Sequence, residues 1–346
     1  MADVAASFRA RGFVALQLLT SVELEALRAE CDSLNGALEA EGRDLCEEDC
    51  VLDVLADLPA ETAAARSDAD AYFAERLEGR RPEHAAAIRG LLMQRLPAVA
   101  RLLLDDCEAG GAPCLFNEHY VRKPARVAGP FSWHTDVAHQ HEATLALGGA
   151  SAAPADYISA WCAVRQESAS PMTPALRCLD AQRFPRGRCA LDDIDESNGA
   201  LLLLPRDGPQ PPGDRWHEPP SDANAAWLAT EGVANAYASL VPAGTAVVFS
   251  SRSWHASAPN LGDADRRAFY VQYSAAPITG ALGGDARAPL AFAVRTEPSN
   301  PPSELRAVAL PRASTSGLRH AAPNGQRQRN EFVDDAGGRS VRLKTY

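Results

Sequence analysis

The stretch Phe131-Ser132-Trp133-His134-Thr135-Asp136 decides how the rest of this sequence is interpreted. It places a histidine and a carboxylate two residues apart, and in an extended backbone both side chains would leave the same face of the strand. A neutral imidazole and a carboxylate are two of the three ligands of the 2-His-1-carboxylate triad, which binds iron(II) and leaves open coordination positions. A His-x-Asp pair also arises by chance, so a third ligand and the surrounding segments have to support it.

Composition limits the class of protein. The chain has 346 residues, 46% of them hydrophobic, which is enough for a large core in one big domain or two small ones. A net charge of -11 with a pI near 5.3 argues against a nucleic-acid partner. No apolar run is long enough to span a bilayer, the N-terminus has no signal-like apolar segment, and the eight cysteines lack zinc-site spacing. These features predict an intracellular, cytoplasmic protein with reduced thiols.

The N-terminal third is predicted to be mainly helical. Residues 20–23 read Thr-Ser-Val-Glu, the form of a capping box, and apolar residues then recur at helical spacing, which predicts a helix over 21–35. Residues 12–16 just before it are typical of a short strand. Pro82 and Pro97 are well placed to start further helices.

From Cys114 onward the pattern changes to short runs of β-branched, aromatic and aliphatic residues bounded by Pro, Gly, Asn or Asp. This pattern is typical of an antiparallel sandwich or barrel. Two long stretches between the runs, Gln166–Asp193 and Pro205–Pro220, exceed what a hairpin needs and indicate functional lids or insertions. The predicted strands are Cys114–Arg122, Tyr157–Arg165, Gly199–Leu204, Thr245–Ser250 and Ala268–Tyr273.

His255 is the candidate third ligand, because it follows a strand and precedes a turn at residues 260–263. If that turn closes a hairpin, Arg266 would lie almost directly across from His255. A guanidinium there suits the distal carboxylate of 2-oxoglutarate, whose other end can chelate the metal. Arg267 is the rival anchor, and strand alternation alone does not choose between the two arginines.

Taken in order, six segments resemble the phytanoyl-CoA dioxygenase-like branch of the Fe(II)/2-oxoglutarate dioxygenases. Singly they are weak signals, but their order along most of the chain from Phe8 to about Ala276 is specific. The segments are Phe8–Leu34, Asn117–Pro124, Trp133–Asp136, Ala160–Ala163, Asp195–Leu201 with Leu204-Pro205, and His255–Asn260 followed by Arg266 eleven residues after the histidine.

This resemblance implies an α+β protein with a mainly β core: a double-stranded β-helix, jelly-roll or cupin-like, with a helical N-terminal region packed against it. It implies Fe(II) held by His134, Asp136 and His255, with O2 and 2-oxoglutarate as co-substrates. Arg266 would anchor the 2-oxoglutarate carboxylate, with Ser257 and Trp161 lining its pocket. The implied reaction hydroxylates an unactivated C–H bond of a small organic molecule and releases succinate and CO2.

The domain organisation follows from the same reading. Residues 1–295 are expected to form the dioxygenase domain, made of a helical region at 1–112 and a β core at 113–277 that carries an insertion at 166–193. Residues 296–346, rich in Pro, Ser, Arg and Gln, are expected to be a flexible extension or a strap over the barrel. Where the family has Pro-Gly-Ser-His, this chain has residues 205–208 reading Pro-Arg-Asp-Gly, so the family's substrates do not carry over.

Three further residues are candidates for substrate contacts: Lys123 on the strand before the motif, and His139 and His141 just after it. For each, a solvated or packing role is the competing interpretation. Two other classes of function also stay open at this point. One is a cupin-like metalloenzyme with isomerase or hydrolase chemistry and no 2-oxoglutarate, and the other is a catalytically silent module that binds metal for stability.

Overall fold

The computed structural model describes residues 2–54, 68–104, 112–126, 129–138, 157–164, 193–213, 220–281, 287–289, 293–296 and 305–313. The helices are α1 Ala2–Arg11, α2 Ser21–Ala40, α3 Ala69–Arg76, α4 Pro82–Gly90, α5 Leu96–Leu103, α6 Asp222–Trp227 and α7 Val233–Asn235. Short π-helical segments join α4 to α5 and α6 to α7, at Leu91–Arg95 and Leu228–Gly232.

The strands form two antiparallel sheets and one separate pair. The strands are β1 Phe13–Gln17, β2 Val51–Asp53, β3 Cys114–Lys123, β4 Phe131–His134, β5 Tyr157–Val164, β6 Leu201–Leu203, β7 Tyr237–Ala238, β8 Thr245–Ser250, β9 His255–Ser257, β10 Arg266–Ser274, β11 Thr279–Ala281, β12 Arg287–Pro289, β13 Val294–Arg295 and β14 Arg306–Val308. The larger sheet runs β13-β3-β10-β5-β8-β1-β14, with β2 also paired to β3, the smaller sheet runs β4-β9-β6-β7, and β11 pairs with β12.

Local sequence signals set the first elements. Thr20 caps α2: its hydroxyl accepts from the Glu23 backbone N–H, and the Glu23 carboxylate accepts from the Thr20 N–H at 2.7 Å, which confirms the capping box. The helix continues to Ala40, five residues beyond the predicted end. Pro82 begins α4 as predicted, whereas Pro97 lies in a helix that runs on without a break from the π-helical segment. All five predicted strands are present, with small differences at their ends.

The two faces of the larger sheet bury different partners. On β10, Phe269, Val271 and Tyr273 join the apolar cluster that includes the helices, whereas Ala268 and Tyr270 join the cluster inside the sheets. Because side chains alternate along a strand, every even-numbered residue from 266 to 272 points inward. This alternation decides which polar residues of β10 reach the site between the sheets.

A buried ionic cluster fastens the helical layer to the outer face of the larger sheet. The Arg76 guanidinium of α3 bonds the carboxylates of Glu118 on β3, at 2.7 Å from Nε, and of Glu30 on α2. The hydroxyl of Tyr72 donates to Glu118, and that of Tyr120 donates to Glu30 at 2.7 Å. The charges are paired and hydrogen-bonded, which is the condition under which charged groups are tolerated inside a protein.

Part of the predicted C-terminal extension belongs to the sheet. Residues 306–308 form β14, which pairs antiparallel with β1 from Ala15↔Val308 to Gln17↔Arg306. Arg312 also pairs with Tyr237 in an isolated bridge, and its guanidinium lies 4.3 Å from the ring centroid of that tyrosine. The domain boundary at 295–296 stays a prediction, but residues 306–308 form an edge strand of the larger sheet, and residues 311–313 bond residues 236–238 beside the smaller one.

Among the described residues, none of the helices has both the length and the apolar character needed to cross a membrane.

Candidate metal centre and co-substrate pocket

Two histidines and one carboxylate converge between the sheets. His134 ends β4 and His255 begins β9, and the two residues are directly paired in the smaller sheet. Asp136 Oδ1 lies 3.9 Å from His134 Nε2 and 3.4 Å from His255 Nε2. One ligand atom from each of the three residues lies within 4.8 Å of the others, and all three side chains are buried. This spacing and donor set fit a single metal ion with open positions.

Backbone carbonyls orient both imidazoles. His134 Nδ1 lies 2.7 Å from the carbonyl oxygen of Ser132, and His255 Nδ1 lies 3.0 Å from that of Ser253. A carbonyl can only accept, so each Nδ1 carries the proton and each Nε2 keeps its lone pair. Both Nε2 atoms therefore present a lone pair to the same point, as metal-binding histidines do.

Asp136 reaches the cluster in a different way from the one predicted. The extended strand β4 ends at His134, and residues 136–138 are already helical. The expectation that His134 and Asp136 leave one face of a strand was therefore wrong. A change of backbone direction at Thr135, rather than strand alternation, brings the carboxylate beside the imidazoles.

Three side chains from the larger sheet hold the other carboxylate oxygen. Asp136 Oδ2 accepts from the hydroxyl of Ser159, from Tyr270 at 2.5 Å and from Gln272 Nε2 at 3.3 Å. Burial and the nearby Asp136 raise the pKa of Tyr270 well above its usual range, so its hydroxyl remains a donor. Because all three bonds go to Oδ2, Oδ1 is the oxygen left to face the two histidines.

This arrangement predicts the effect of Tyr270→Phe. The variant removes one hydrogen bond to Asp136 while keeping the ring that packs against its neighbours, so the carboxylate loses part of its fixed orientation. We expect Fe(II) affinity to fall about 10-fold, at the low end of the effect of outer-shell changes, as measured by anaerobic titration. Tyr273→Phe is the matched control, because Tyr273 lies on the helix-facing side of the same strand and donates to the Leu92 carbonyl instead. Equal affinities in wild type and Tyr270→Phe would contradict this role.

Arg266 points into the same pocket from the start of β10. Its side chain is 1% exposed, and its guanidinium lies 5.2 Å from the Trp161 ring centroid. Arg266 Nη2 donates to the Gly199 carbonyl at 2.8 Å, which holds the guanidinium from one side. A buried guanidinium fixed in this way is suited to bind a carboxylate through two parallel hydrogen bonds.

The backbone at position 199 requires a glycine. Its φ of +88° lies in the left-handed region, and an added Cβ would come within 2.9 Å of the Ala258 carbonyl oxygen. Only glycine adopts this conformation without strain and leaves that space open. The segment Asp195–Leu201, one of the six that resemble the family, thus places the Gly199 carbonyl against Arg266.

The other arginine faces away from the pocket. Arg267 Nη1 donates to both carboxylate oxygens of Asp32 on α2, each at 2.7 Å, on the helix-facing side of the sheet. The structure therefore brings Arg266, and not Arg267, to the histidines and Asp136.

The predicted hairpin between His255 and Arg266 is wrong. β9 pairs with β4 and β6 in the smaller sheet, whereas β10 pairs with β3 and β5 in the larger one. Arg266 therefore reaches the pocket from the opposite sheet and is not a strand partner of His255. The prediction failed because a turn followed by a strand does not reveal that the chain changes sheets.

The remaining predicted residues take different places. Ser257 and Trp161 line the pocket, and their predicted contact with 2-oxoglutarate stays a prediction. Lys123 is fully buried, and its ammonium donates to the carbonyls of Ala258 at 2.6 Å and Gly129 at 3.1 Å. It is absent from the pocket lining among the described residues. Burial and the nearby Arg266 lower its pKa well below the usual range. His139 and His141 lie outside the described residues.

Several residues of the site were not predicted. They are Ser159, Tyr270 and Gln272 around Asp136, and His119, Val51, Val121, Phe131 and Leu201 in the pocket lining. Strand alternation could have found Tyr270 and Gln272, because they share a face with Arg266 at steps of two along β10. The others come from strands whose register was not known.

The fold and the site together define the class. Two histidines and a carboxylate, buried between antiparallel sheets with a helical layer outside, form the ligand set of non-haem iron proteins. The family model for phytanoyl-CoA dioxygenase (PhyH) matches residues 8–268. The chain therefore belongs to the phytanoyl-CoA dioxygenase family, which confirms the resemblance, and this family consists of Fe(II)/2-oxoglutarate-dependent oxygenases.

Solved structures are similar in fold. EctD from S. alaskensis, crystallised with 2-oxoglutarate and 5-hydroxyectoine, is 17% identical, covers 87% of this chain and 88% of its own, and has a TM-score of 0.50. EvdO2 from Micromonospora carbonacea var. aurantiaca, complexed with 2-oxoglutarate, is 20% identical over 78% and 89% of the two chains, with a TM-score of 0.43. SnoK, an alpha ketoglutarate dependent carbocyclase from nogalamycin biosynthesis, is 19% identical over 82% and 88%, with a TM-score of 0.44. Curated protein sequences gave no significant match.

The family and the His-Asp-His cluster fit Fe(II) as the metal and 2-oxoglutarate as the co-substrate, with O2 as the oxidant. The observed mixture of helices and antiparallel sheets agrees with the 2-oxoglutarate oxygenase fold.

Proposed function

We propose that this protein is an Fe(II)- and 2-oxoglutarate-dependent dioxygenase that hydroxylates a C–H bond of a small organic substrate and releases succinate and CO2. The observation that carries the proposal is the presence, in one pocket, of the His134, Asp136 and His255 cluster and the buried Arg266 guanidinium. The cluster offers three ligands and leaves coordination positions for a chelating co-substrate. The arginine offers the partner for that co-substrate's distal carboxylate.

Each residue then has a defined role. His134, His255 and Asp136 would hold the metal through their Nε2 atoms and Oδ1. Arg266 would bind the 2-oxoglutarate carboxylate, and Ser257 and Trp161 would line the space between that carboxylate and the metal. When bound, Fe(II) supplies the oxidative decarboxylation of 2-oxoglutarate and the activation of O2 for C–H oxidation, which the protein alone cannot perform.

The protein's own part is orientation and exclusion of water. Ser159, Tyr270 and Gln272 fix one oxygen of Asp136, and the Ser132 and Ser253 carbonyls fix the histidine rings. Such bonds keep the ligands in place before the co-substrate arrives. The aspartate at position 136 favours hydroxylation over halogenation, because halogenating relatives carry a small residue there.

The proposal also includes the type of fold and the limits of the domain. The two sheets, joined by the cluster between them, would form the double-stranded β-helix, with residues 1–112 as the helical region packed outside. Residues 1–295 would act as one dioxygenase domain, and the predicted insertion at 166–193 lies outside the described residues except for residue 193. A cupin-like enzyme without 2-oxoglutarate and a silent metal-binding module are the alternatives, and the buried Arg266 in the metal pocket weighs against the first.

Anaerobic spectroscopy tests the proposal. Fe(II) and then 2-oxoglutarate are added to the purified protein, and we expect the weak visible charge-transfer band that a metal-chelated 2-oxo acid produces. Admission of O2 should then release succinate, even slowly, without added substrate. Iron binding without the band would contradict the dioxygenase function and favour metal chemistry without 2-oxoglutarate. The band without any succinate, under a broad set of small metabolites, would favour the silent module.

A further inference from the structure

The pocket has a second half that the metal ligands and Arg266 do not occupy. β10 lies between β5 and β3 in the larger sheet, so Trp161 on β5 borders one side of Arg266 and β3 borders the other. His119 and Val121 of β3 line the pocket on that other side, and Val51 of β2 pairs with Val121 beyond it. We call these residues, together with Phe131 described next, the β3 half.

Phe131 closes the β3 half from the smaller sheet. Its ring centroid lies 4.8 Å from the ammonium of Lys123, which places this end of β4 beside the end of β3. Phe131, Val51 and Val121 make the described wall of this half apolar. His134 follows on the same strand as Phe131, so the β3 half opens directly beside the candidate metal centre.

His119 is the polar side chain of the β3 half. It is 5% exposed and stacks on Tyr270, with ring centroids 4.7 Å apart and planes 25° apart. Within the described residues, its ring nitrogens make no hydrogen bond. Burial lowers the pKa of His119 to about 4, so the ring is neutral near pH 7 and offers one donor and one acceptor.

Because His119 lines the pocket and its described contact is the stack on Tyr270, its ring nitrogens are left to whatever occupies the pocket. A ligand that supplies a hydrogen-bond partner gains that bond when it binds, and a ligand that lacks such a group removes the imidazole from water without replacing the bond. An imidazole facing a pocket next to a metal centre is therefore placed to select what lies in the pocket.

We propose that the β3 half binds the primary substrate through an uncharged, mainly apolar portion that carries a hydroxyl or carbonyl group hydrogen-bonded to His119. The proposal rests on the dioxygenase function proposed above. It commits to a neutral group, because Asp53 is the strand partner of His119 on β2, and a carboxylate at that position disfavours an anion. Lys123, the nearby cation, directs its ammonium to the Gly129 and Ala258 carbonyls.

The experiment uses the anaerobic protein loaded with Fe(II) and 2-oxoglutarate. Cyclohexanol is the neutral probe and cyclohexanecarboxylate is the anionic probe of the same ring, and each is titrated while the visible band is recorded. We expect cyclohexanol to perturb the band at millimolar concentration and the carboxylate to bind at least about tenfold more weakly. His119→Leu should weaken cyclohexanol binding about tenfold, while His119→Gln, which keeps a donor and an acceptor, should retain most of it.

Titration with 2-oxoglutarate distinguishes a loss of substrate binding at His119 from a loss of co-substrate binding. Its midpoint should be the same in wild type, His119→Leu and His119→Gln, because Arg266 and the metal hold the co-substrate. His84→Leu is the control, since His84 is also 5% exposed but lies on α4 next to Arg81, away from the pocket. It should change neither titration.

Three results would overturn the inference while leaving the dioxygenase function intact. They are equal cyclohexanol binding in wild type and His119→Leu, equal binding of the two probes, and no response of the wild-type band to either probe. If the band never forms in the wild type, the proposed function fails, and the inference fails with it.

Discussion

Replacing Asp136 by alanine is expected to abolish Fe(II) binding at the site and, with it, all succinate formation. Oδ1 of this residue lies 3.9 Å and 3.4 Å from the two histidine Nε2 atoms, so the variant removes the negative ligand of the triad. Loss of a supporting hydrogen bond at a metal site costs about 10- to 100-fold in affinity, and loss of a ligand should cost more than 100-fold. Anaerobic metal titration measures the affinity, and succinate release under O2 measures the activity.

The Asp136→Ala protein should still fold, which makes the result interpretable. The three side chains that bond Asp136 also bond one another: Tyr270 donates to Ser159 at 2.9 Å, and Gln272 Nε2 lies 3.0 Å from Tyr270 and 3.1 Å from Ser159. When the carboxylate is gone, Tyr270 can still donate to Ser159, and Gln272 Nε2 to both hydroxyls, so only the Ser159 hydroxyl loses its acceptor. The metal-free melting temperature should stay close to the wild-type value.

His134→Ala and His255→Ala should give the same loss, because each removes one neutral ligand. Full succinate formation in any of the three variants would show that the ligand assignment is wrong.

Replacing Arg266 by alanine is expected to lower 2-oxoglutarate affinity by about 30-fold or more. The guanidinium is 1% exposed, so a carboxylate bound to it would be a desolvated, charge-assisted partner. Truncating one member of such a pair typically costs about 2–5 kcal/mol. Titration of the visible band with 2-oxoglutarate measures the affinity. Fe(II) affinity without the co-substrate should be unchanged, because Arg266 makes no contact with the three candidate ligands among its described hydrogen bonds.

Arg267→Ala is the matched control for Arg266. The two residues are adjacent and both are at most 4% exposed, but Arg267 bonds Asp32 on the helix-facing side of β10. Its loss should lower the melting temperature and leave the 2-oxoglutarate midpoint unaltered. If Arg267→Ala weakens 2-oxoglutarate binding and Arg266→Ala does not, the anchor has been assigned to the wrong residue.

Short stretches of sequence were enough to predict the cap of the first long helix, the five strands and the candidate site residues. The capping box at Thr20 and Glu23 is formed by residues three apart, so its bonds can be predicted from adjacent letters. The five predicted strands are likewise set by short runs of residues that fit a pleated, half-buried surface. The His-x-Asp pair, His255 and Arg266 were found from the order of short motifs along the chain.

Only the tertiary structure decided how these residues meet. Strand alternation could not choose between Arg266 and Arg267, because a shift of one residue in register reverses which of them points inward, and only the spacing in the family resemblance favoured Arg266. The pairing of β10 with β3 and β5, and the apolar residues on its two faces, settle that choice in favour of Arg266 for the pocket. The hairpin prediction failed for the same reason, since strand partners are distant in sequence.

The bonds that orient Asp136 show this dependence most clearly. Ser159, Tyr270 and Gln272 lie 23, 134 and 136 residues from Asp136 along the chain, yet all three bond one carboxylate oxygen. His119 reaches its place beside Tyr270 because β3 pairs with β10 in one register. The sequence by itself determined the helices, the strands and the chemical groups available for a metal and a carboxylate, because those depend on neighbouring residues. The orientation of those groups depended on strand pairing across the whole sheet, which only the folded chain fixes.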